Sequence, residues 1–237
     1  MKKVQRHYDE VAEVYDRHYA TDRGRIYYDH VCDLVLDDLP RGGLLLDLGC
    51  GTGLFMVRYC ASGGDAVGLD ISRGMIARAR QRCPACTVSV GTAEQLPFRD
   101  ATFDAVASIL AFSYLQRPEA MLAESFRVLK PGGTIAVCTL GRNLLTALVP
   151  VIYRVGEKVR ARRVGMADFG EHYYRTGEIA ALFASIGFVD VGVRRCSFAH
   201  QDLHDPVFAI ARKVEPFVEE RLPHLAYNLC VSAKKPD

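Results

Sequence analysis

Apolar and polar positions along this chain switch between two periods. Leu44, Leu45 and Leu46 form a short apolar run that ends in Asp47, and glycines bound the stretch. Such a run reads as a strand buried on both faces. Gly49, Gly51 and Gly53 follow at alternate positions, and Leu54, Val57 and Ala61 then place apolar residues at helical spacing. Strand, glycine loop and helix make the opening unit of an open α/β sheet. The alternation continues. Ala66–Asp70 is a second strand, also ending in an acid, and Ser72 caps a helix carrying Met75, Ile76 and Ala79. Thr87–Val90 is a third strand, Phe103–Leu110 a fourth, Pro118–Leu129 a helix, and Thr134–Leu140 a fifth strand after the Pro131-Gly132-Gly133 turn. Regular alternation of this kind predicts parallel strands joined by right-handed crossovers.

The flanks are less regular. Residues 3–38 read as amphipathic helix through Tyr8, Val11, Ala12, Tyr15 and Tyr19, with a break near Gly24. Residues 142–163 read as helix, apolar first and basic from Lys158 to Arg163. Thr176 caps a helix that Gly187 ends, Val189–Phe198 alternates as a strand, 205–221 is amphipathic helix, and Tyr227–Ala233 is a closing strand. The expected fold class is α/β: a Rossmann-like, seven-stranded, mostly parallel sheet whose last strand is antiparallel, with helices on both faces. One domain spans 1–237. Residues 1–40 form a helical cap over the ligand edge, 41–140 the ligand-binding core, and 141–237 the substrate-cap helices with the last two strands.

Composition narrows the setting. A formal net charge of +2 and 49% apolar residues provide for a full core and argue against a dedicated nucleic-acid partner. The eight cysteines are scattered and read as free thiols of a cytoplasmic chain. Cys83 and Cys86 have metal-ligand spacing, but no second pair completes a four-ligand set. Met1-Lys2-Lys3 opens no signal peptide, and the longest apolar run, Leu144–Tyr153, contains Pro150 and is too short to span a bilayer.

Three alternating glycines leave no side chain over the turn, so a ligand can lie on main-chain N–H groups there. Asp70 stands seventeen positions after Gly53, close to the ~20 expected of an acid that accepts from ribose hydroxyls. The spacing is G-x-G-x-G, not G-x-G-x-x-G, and no Gly-Lys-Ser/Thr follows. A compact nucleoside matches better than a diphosphate.

At these residues the chain resembles the class I S-adenosylmethionine-dependent methyltransferases. The resemblance rests on Leu46–Gly53, Gly68–Ser72, Ala93–Phe98, Phe103-Asp104 and Leu129–Gly133. Tyr8-Asp9-x-x-Ala12-x-x-Tyr15-Asp16 is similar to the opening block of the ubiquinone/menaquinone methyltransferase group. The resemblance implies that Gly49, Cys50 and Gly51 face the methionine part of S-adenosylmethionine, with Asp47 near its amino group and Gly53 among the cofactor-binding residues of the same loop. It further implies Asp70 on the ribose, Ile71 and Met75 against adenine, and Thr92, Ala93 and Glu94 at the adenine edge. Ser108 would lie near the sulfonium, and Tyr15 would close over the cofactor. Relatives often carry an acid where this chain has Thr92, so either Glu94 or a backbone carbonyl would replace that contact or the contact would be lost. The implied reaction is direct methyl transfer to a small, largely apolar or amphipathic acceptor, with His172 as the candidate base. Competing readings are a macromolecular acceptor and a cofactor-binding module without catalysis. The basic run also suggests peripheral membrane or lipid contact through 144–163, and the oligomeric state stays open.

Overall fold

A computed structural model describes residues 2–143, 171–200 and 203–237. The helices expected within 142–163, and any lipid contact there, lie largely outside the described residues. Three helices open the chain: α1 (Lys2–Val11), α2 (Tyr15–Ala20) and α3 (Asp22–Asp38). The break expected near Gly24 falls instead at Thr21, whose hydroxyl accepts from the Gly24 N–H and so caps α3. Gly24 sits inside α3 because a Cβ there would lie 2.2 Å from the His18 carbonyl oxygen. Its small size marks a close approach to α2 and not a chain break.

The core then runs β1 (Leu44–Leu48), α4 (Leu54–Ala61), β2 (Asp65–Asp70), α5 (Arg73–Arg82), β3 (Thr87–Val90), β4 (Phe103–Ile109), α6 (Pro118–Val128) and β5 (Leu129–Leu140). The last third adds α7 (Thr176–Ile186), β6 (Val189–Cys196), α8 (Asp205–Arg221) and β7 (Asn228–Lys234). The sheet has seven strands in the order β3-β2-β1-β4-β5-β7-β6. Pairs β1–β2, β1–β4, β2–β3 and β4–β5 are parallel, whereas β7 runs antiparallel to both β5 and β6. The expected architecture is present. Two local readings change. The helix ends at Val128, and pairing of β5 with β4 already begins at Leu129, opposite Phe103. Thr176 is the first residue of α7 and not its cap: Arg175 is the cap, and its N–H is accepted by Glu178 at 3.3 Å.

Period-two alternation distributes side chains to two cores, one on each face of the sheet. Leu45, Ala105 and Ala107 pack with Val31 and Val35 of α3, Phe55, Met56 and Tyr59 of α4, and Ile76 and Ala79 of α5. Leu46, Leu48 and Val106 pack with Met121 and Leu122 of α6 and Ile179 and Phe183 of α7. The Leu, Val, Ile, Phe and Met side chains each contribute ~1.5–3 kcal/mol on burial, which fastens the helices to both faces of the sheet. One further expectation is overturned: Cys83 and Cys86 are joined as a disulfide, because the turn between them brings their Cα atoms within 5.3 Å. The other six cysteines are free thiols.

Candidate active site

The carboxyl ends of β1, β2, β3 and β4 open into a cleft of about 830 Å³, including its open mouth. Open α/β sheets place their ligands at this edge. The cleft is lined by Gly49 and Gly51 of the glycine loop, by Asp70, Ile71 and Met75 after β2, and by Thr92 and Ala93 after β3. Ser108 of β4 and Tyr15 of α2 complete the predicted set at this cleft. Asp47 and Cys50 line a smaller adjoining cavity with Tyr15, Tyr19 and Tyr28. Most predicted site residues therefore converge on one place.

The glycine loop works differently from the sequence expectation. Its N–H groups are already used: those of Gly49 and Cys50 donate to the Leu69 carbonyl at 2.7 and 3.1 Å. The Gly51 N–H donates to Asp70 Oδ2 at 2.9 Å, and the Gly53 N–H to the Cys50 carbonyl at 2.9 Å. The loop is thus tied to the end of β2 and offers a ligand space more than donors. At Gly49, with φ of 75°, a Cβ would lie 2.4 Å from the Ala111 Cβ. At Gly51 a Cβ would instead project into the cleft, with Tyr15 Cε1 the nearest atom at 4.0 Å. That bare surface suits an uncharged nucleoside and its tail, not a phosphate.

The two strand-end acids differ. Asp70 accepts from Gly51 and, through Oδ1, from the Ser72 N–H at 2.8 Å, and each oxygen keeps a lone pair for a ligand hydroxyl. Burial raises its pKa, against the pull of those backbone donors. Asp47 is 2% exposed and its Oδ2 has no hydrogen-bond partner. Burial, and then the Asp70 charge, push its pKa up to about 8. An orphaned acid facing a cavity fits a cationic partner, which would return it to the ionised form.

Other predicted residues are placed less centrally. Glu94 is buried, and its carboxylate accepts from the N–H groups of Gln116 and Arg117 and from Arg117 Nε. It locks the chain that enters α6. Gly53 is the left-handed N-cap of α4, behind the loop. Ser108 donates to the Leu48 carbonyl at 2.9 Å, joining β4 to β1. His172 is exposed and does not line the cleft, but its N–H donates to the Ser113 carbonyl at 2.9 Å, beside Tyr114.

Sequence reading missed part of the cleft wall: Val4, Leu110, Ala111, Tyr114 and Leu115. Leu110 has φ of 57°, a left-handed conformation that turns the chain out of β4 at a cost on the order of 1 kcal/mol. Tyr8, a position of the predicted amphipathic helix to which the sequence assigns no site role, lines the cleft and meets the Tyr114 ring edge-on at 6.0 Å. Burial and the neighbouring phenol Tyr114 raise the Tyr8 pKa, and burial raises that of Tyr15, so both stay protonated. Also unseen was the clamp formed by Arg82, which pairs with Asp16 at 2.6 Å and donates to the Thr52 carbonyl at 2.6 Å. Polar residues in exposed helices carry no periodicity signal that would reveal such a partner.

Comparison with known proteins settles the class. The family described as a methyltransferase domain matches residues 46–137. Demethylmenaquinone methyltransferase of Renibacterium salmoninarum is 30% identical over 174 residues, covering 69% of this chain and 73% of that protein. The chain belongs to the class I S-adenosylmethionine-dependent methyltransferases. A second relative, the biotin biosynthesis bifunctional protein BioHC of Cellvibrio japonicus, is 35% identical over 162 residues. That match covers 63% of this chain but only 32% of the bifunctional protein. A solved S-adenosylmethionine-dependent methyltransferase from Thermotoga maritima superposes with a TM-score of 0.73 over 98% of this chain and 99% of its own. At 24% identity that likeness speaks for the fold alone. The methyl donor of this family is S-adenosylmethionine, and the orphaned Asp47, the bare Gly51 surface and Asp70 fit it. Among the described residues no helix is long and apolar enough to cross a membrane.

Proposed function

We propose that this methyltransferase acts on a small, largely apolar or amphipathic acceptor. The wall of the cleft beyond Ser108 carries the reading: Val4, Leu110, Ala111 and Leu115 are apolar, and Tyr8 and Tyr114 add aromatic surface. Apolar pockets with a few placed polar groups select small molecules by shape and burial. The related demethylmenaquinone methyltransferase is named for an acceptor in keeping with such a wall.

Asp70 would hold the ribose hydroxyls, Asp47 the amino group, and Ile71, Met75, Thr92 and Ala93 the adenine. When bound, S-adenosylmethionine supplies a methyl carbon on a sulfonium leaving group, so the chemistry needs little activation. The residues contribute position and exclusion of water. Tyr8, Tyr15 and Tyr114 wall the cleft, and the protonated hydroxyls of Tyr8 and Tyr15 would be available to donate to a ligand. His172 does not line the cleft, but its backbone is held next to Tyr114 by the Ser113 carbonyl, and a proton leaving the acceptor would reach it through an intervening water.

The test is label transfer from S-adenosylmethionine to matched acceptors that differ only in an apolar tail. We expect kcat/KM to rise at least about tenfold with the tail, the equivalent of one or two buried methylenes. Equal use of both members of each pair would overturn the acceptor class. For an acceptor that must lose a proton, His172→Ala should lower kcat by about 100-fold, the lower end of general-base contributions. Unchanged kcat would remove His172 from the mechanism.

A further inference from the structure

A second cluster of chemistry-bearing side chains lies at the other edge of the sheet. Cys60 is in the last turn of α4, Cys83 caps the end of α5, and Cys86 immediately precedes β3. The Cys86 N–H donates to the Cys83 carbonyl at 2.9 Å, which closes the Cys83-Pro84-Ala85-Cys86 turn and brings its two sulfurs together. A disulfide needs only those two. Yet Cys60 Sγ stands 3.7 Å from Cys86 Sγ, and all three sulfurs lie within 4.8 Å of one another. Tetrahedral zinc with Zn–S bonds of about 2.3 Å holds its sulfurs about 3.8 Å apart.

We propose that Cys60, Cys83 and Cys86, once reduced, form a trithiolate site for a zinc-class divalent cation. The disulfide and the metal site are alternative states of the same sulfurs. Two helix ends decide which chemistry the cluster favours. The carboxyl termini of α4 and α5 both direct partial negative charge at the sulfurs. That field opposes bare, reactive thiolates, which are typical of helix amino termini, and it favours a cation. Cys60 and Cys86 are half-buried, so an ion can reach the cluster and water can fill a fourth position. Bound metal would fasten α4, α5 and the start of β3 together. It would do so close to Arg82, whose side chain holds Thr52 of the glycine loop.

The test is titration of the full chain with Co²⁺ under a metal-free phosphine reductant, followed by Zn²⁺ displacement. We expect one cobalt per chain at this site, tetrahedral visible bands, and thiolate-to-cobalt charge transfer that zinc abolishes. Cys60→Ser should weaken binding at least tenfold and remove about one third of the charge transfer, one thiolate of three. Its binding of S-adenosylhomocysteine, unchanged from wild type, reports that the variant is folded. Zinc should also protect Cys60, Cys83 and Cys86 of the reduced wild-type chain from alkylation, read by peptide mass spectrometry. The proposal is overturned if reduced wild type gives no charge transfer or no such protection. It is equally overturned if Cys60→Ser leaves affinity and spectrum unchanged. A third overturning result is a signal that survives Cys60→Ser/Cys83→Ser/Cys86→Ser. The buried Cys138, Cys196 and Cys230 would then be its source.

Discussion

The edge of the sheet that receives the cofactor and the helices that cover it are held by different forces. The glycine loop is fastened by backbone hydrogen bonds to β2 and sits above two apolar cores. By contrast, no residue of α1 is fully buried, although it walls the cleft through Val4 and the half-buried Tyr8. Its attachment includes Asp9, which accepts from Ser72 Oγ at 2.7 Å and from the Gly74 N–H at 3.1 Å. The next helix, α2, is held by the Asp16–Arg82 pair, with both side chains about a third exposed at 30% and 27%. Edge-on tyrosine contacts run from Tyr8 through Tyr15 to Tyr19, whose ring meets that of Tyr28 at a tilt of 48°. Partly exposed ion pairs contribute ~0–1 kcal/mol each, less than a single buried leucine. The floor of the cleft is thus fastened more strongly than its cover.

Substitutions on the two sides should therefore differ in kind. The largest effect is expected at Asp70, which anchors the loop and which we propose holds the ribose. Asp70→Ala should weaken S-adenosylhomocysteine binding at least about 100-fold by calorimetry, the loss of two charge-assisted hydrogen bonds. Wild-type affinity would break the assignment of the floor. Asp47→Asn should cost about tenfold in the same titration and reveal a pH signature.

The sign for Asp47 follows from its folded-state pKa of about 8, above its ordinary 3.8. The folded apoprotein holds a proton there that the unfolded chain has released. Its contribution to stability is complete below pH 4 and is lost as pH rises toward 8. The thermal midpoint of the apoprotein should fall across that window, and Asp47→Asn should flatten the fall. At pH 7, cofactor binding should release up to about one proton, measurable in buffers of different ionisation enthalpy. No release would mean that Asp47 does not meet the amino group. The smallest effect belongs to the cover. Arg82→Ala should raise KM for S-adenosylmethionine about tenfold or less and move the thermal midpoint by only a few degrees. A collapse in stability would show that the cover is structural after all.

Much of the floor was legible because its signals are local. The Leu44–Leu48 strand, the glycine spacing, the Ser72 cap and the acid at the end of β2 each need only a few neighbouring residues. The structure confirms that cap, with Ser72 Oγ accepting from the Met75 N–H at 3.1 Å. The cover was less legible. Tyr8 is one of several periodic positions in an amphipathic helix with nothing local to mark it as cleft wall, and nothing near Arg82 in sequence points to Asp16.

Sequence alone determined the order of strands and helices, the position of the glycine loop, and which acids end β1 and β2. Those follow from periodicity and turn chemistry, which act over a few residues. Tertiary structure decided what the groups do. It gave the loop N–H groups to Leu69 and Asp70, left Asp47 Oδ2 unpaired, and committed Glu94 to Arg117. It also brought Cys60 to Cys86 across 26 positions and Asp16 to Arg82 across 66. Such contacts depend on which helix ends and strand edges meet when two separate cores close. Hydrogen-bond partners, burial and the resulting pKa values are properties of that closure.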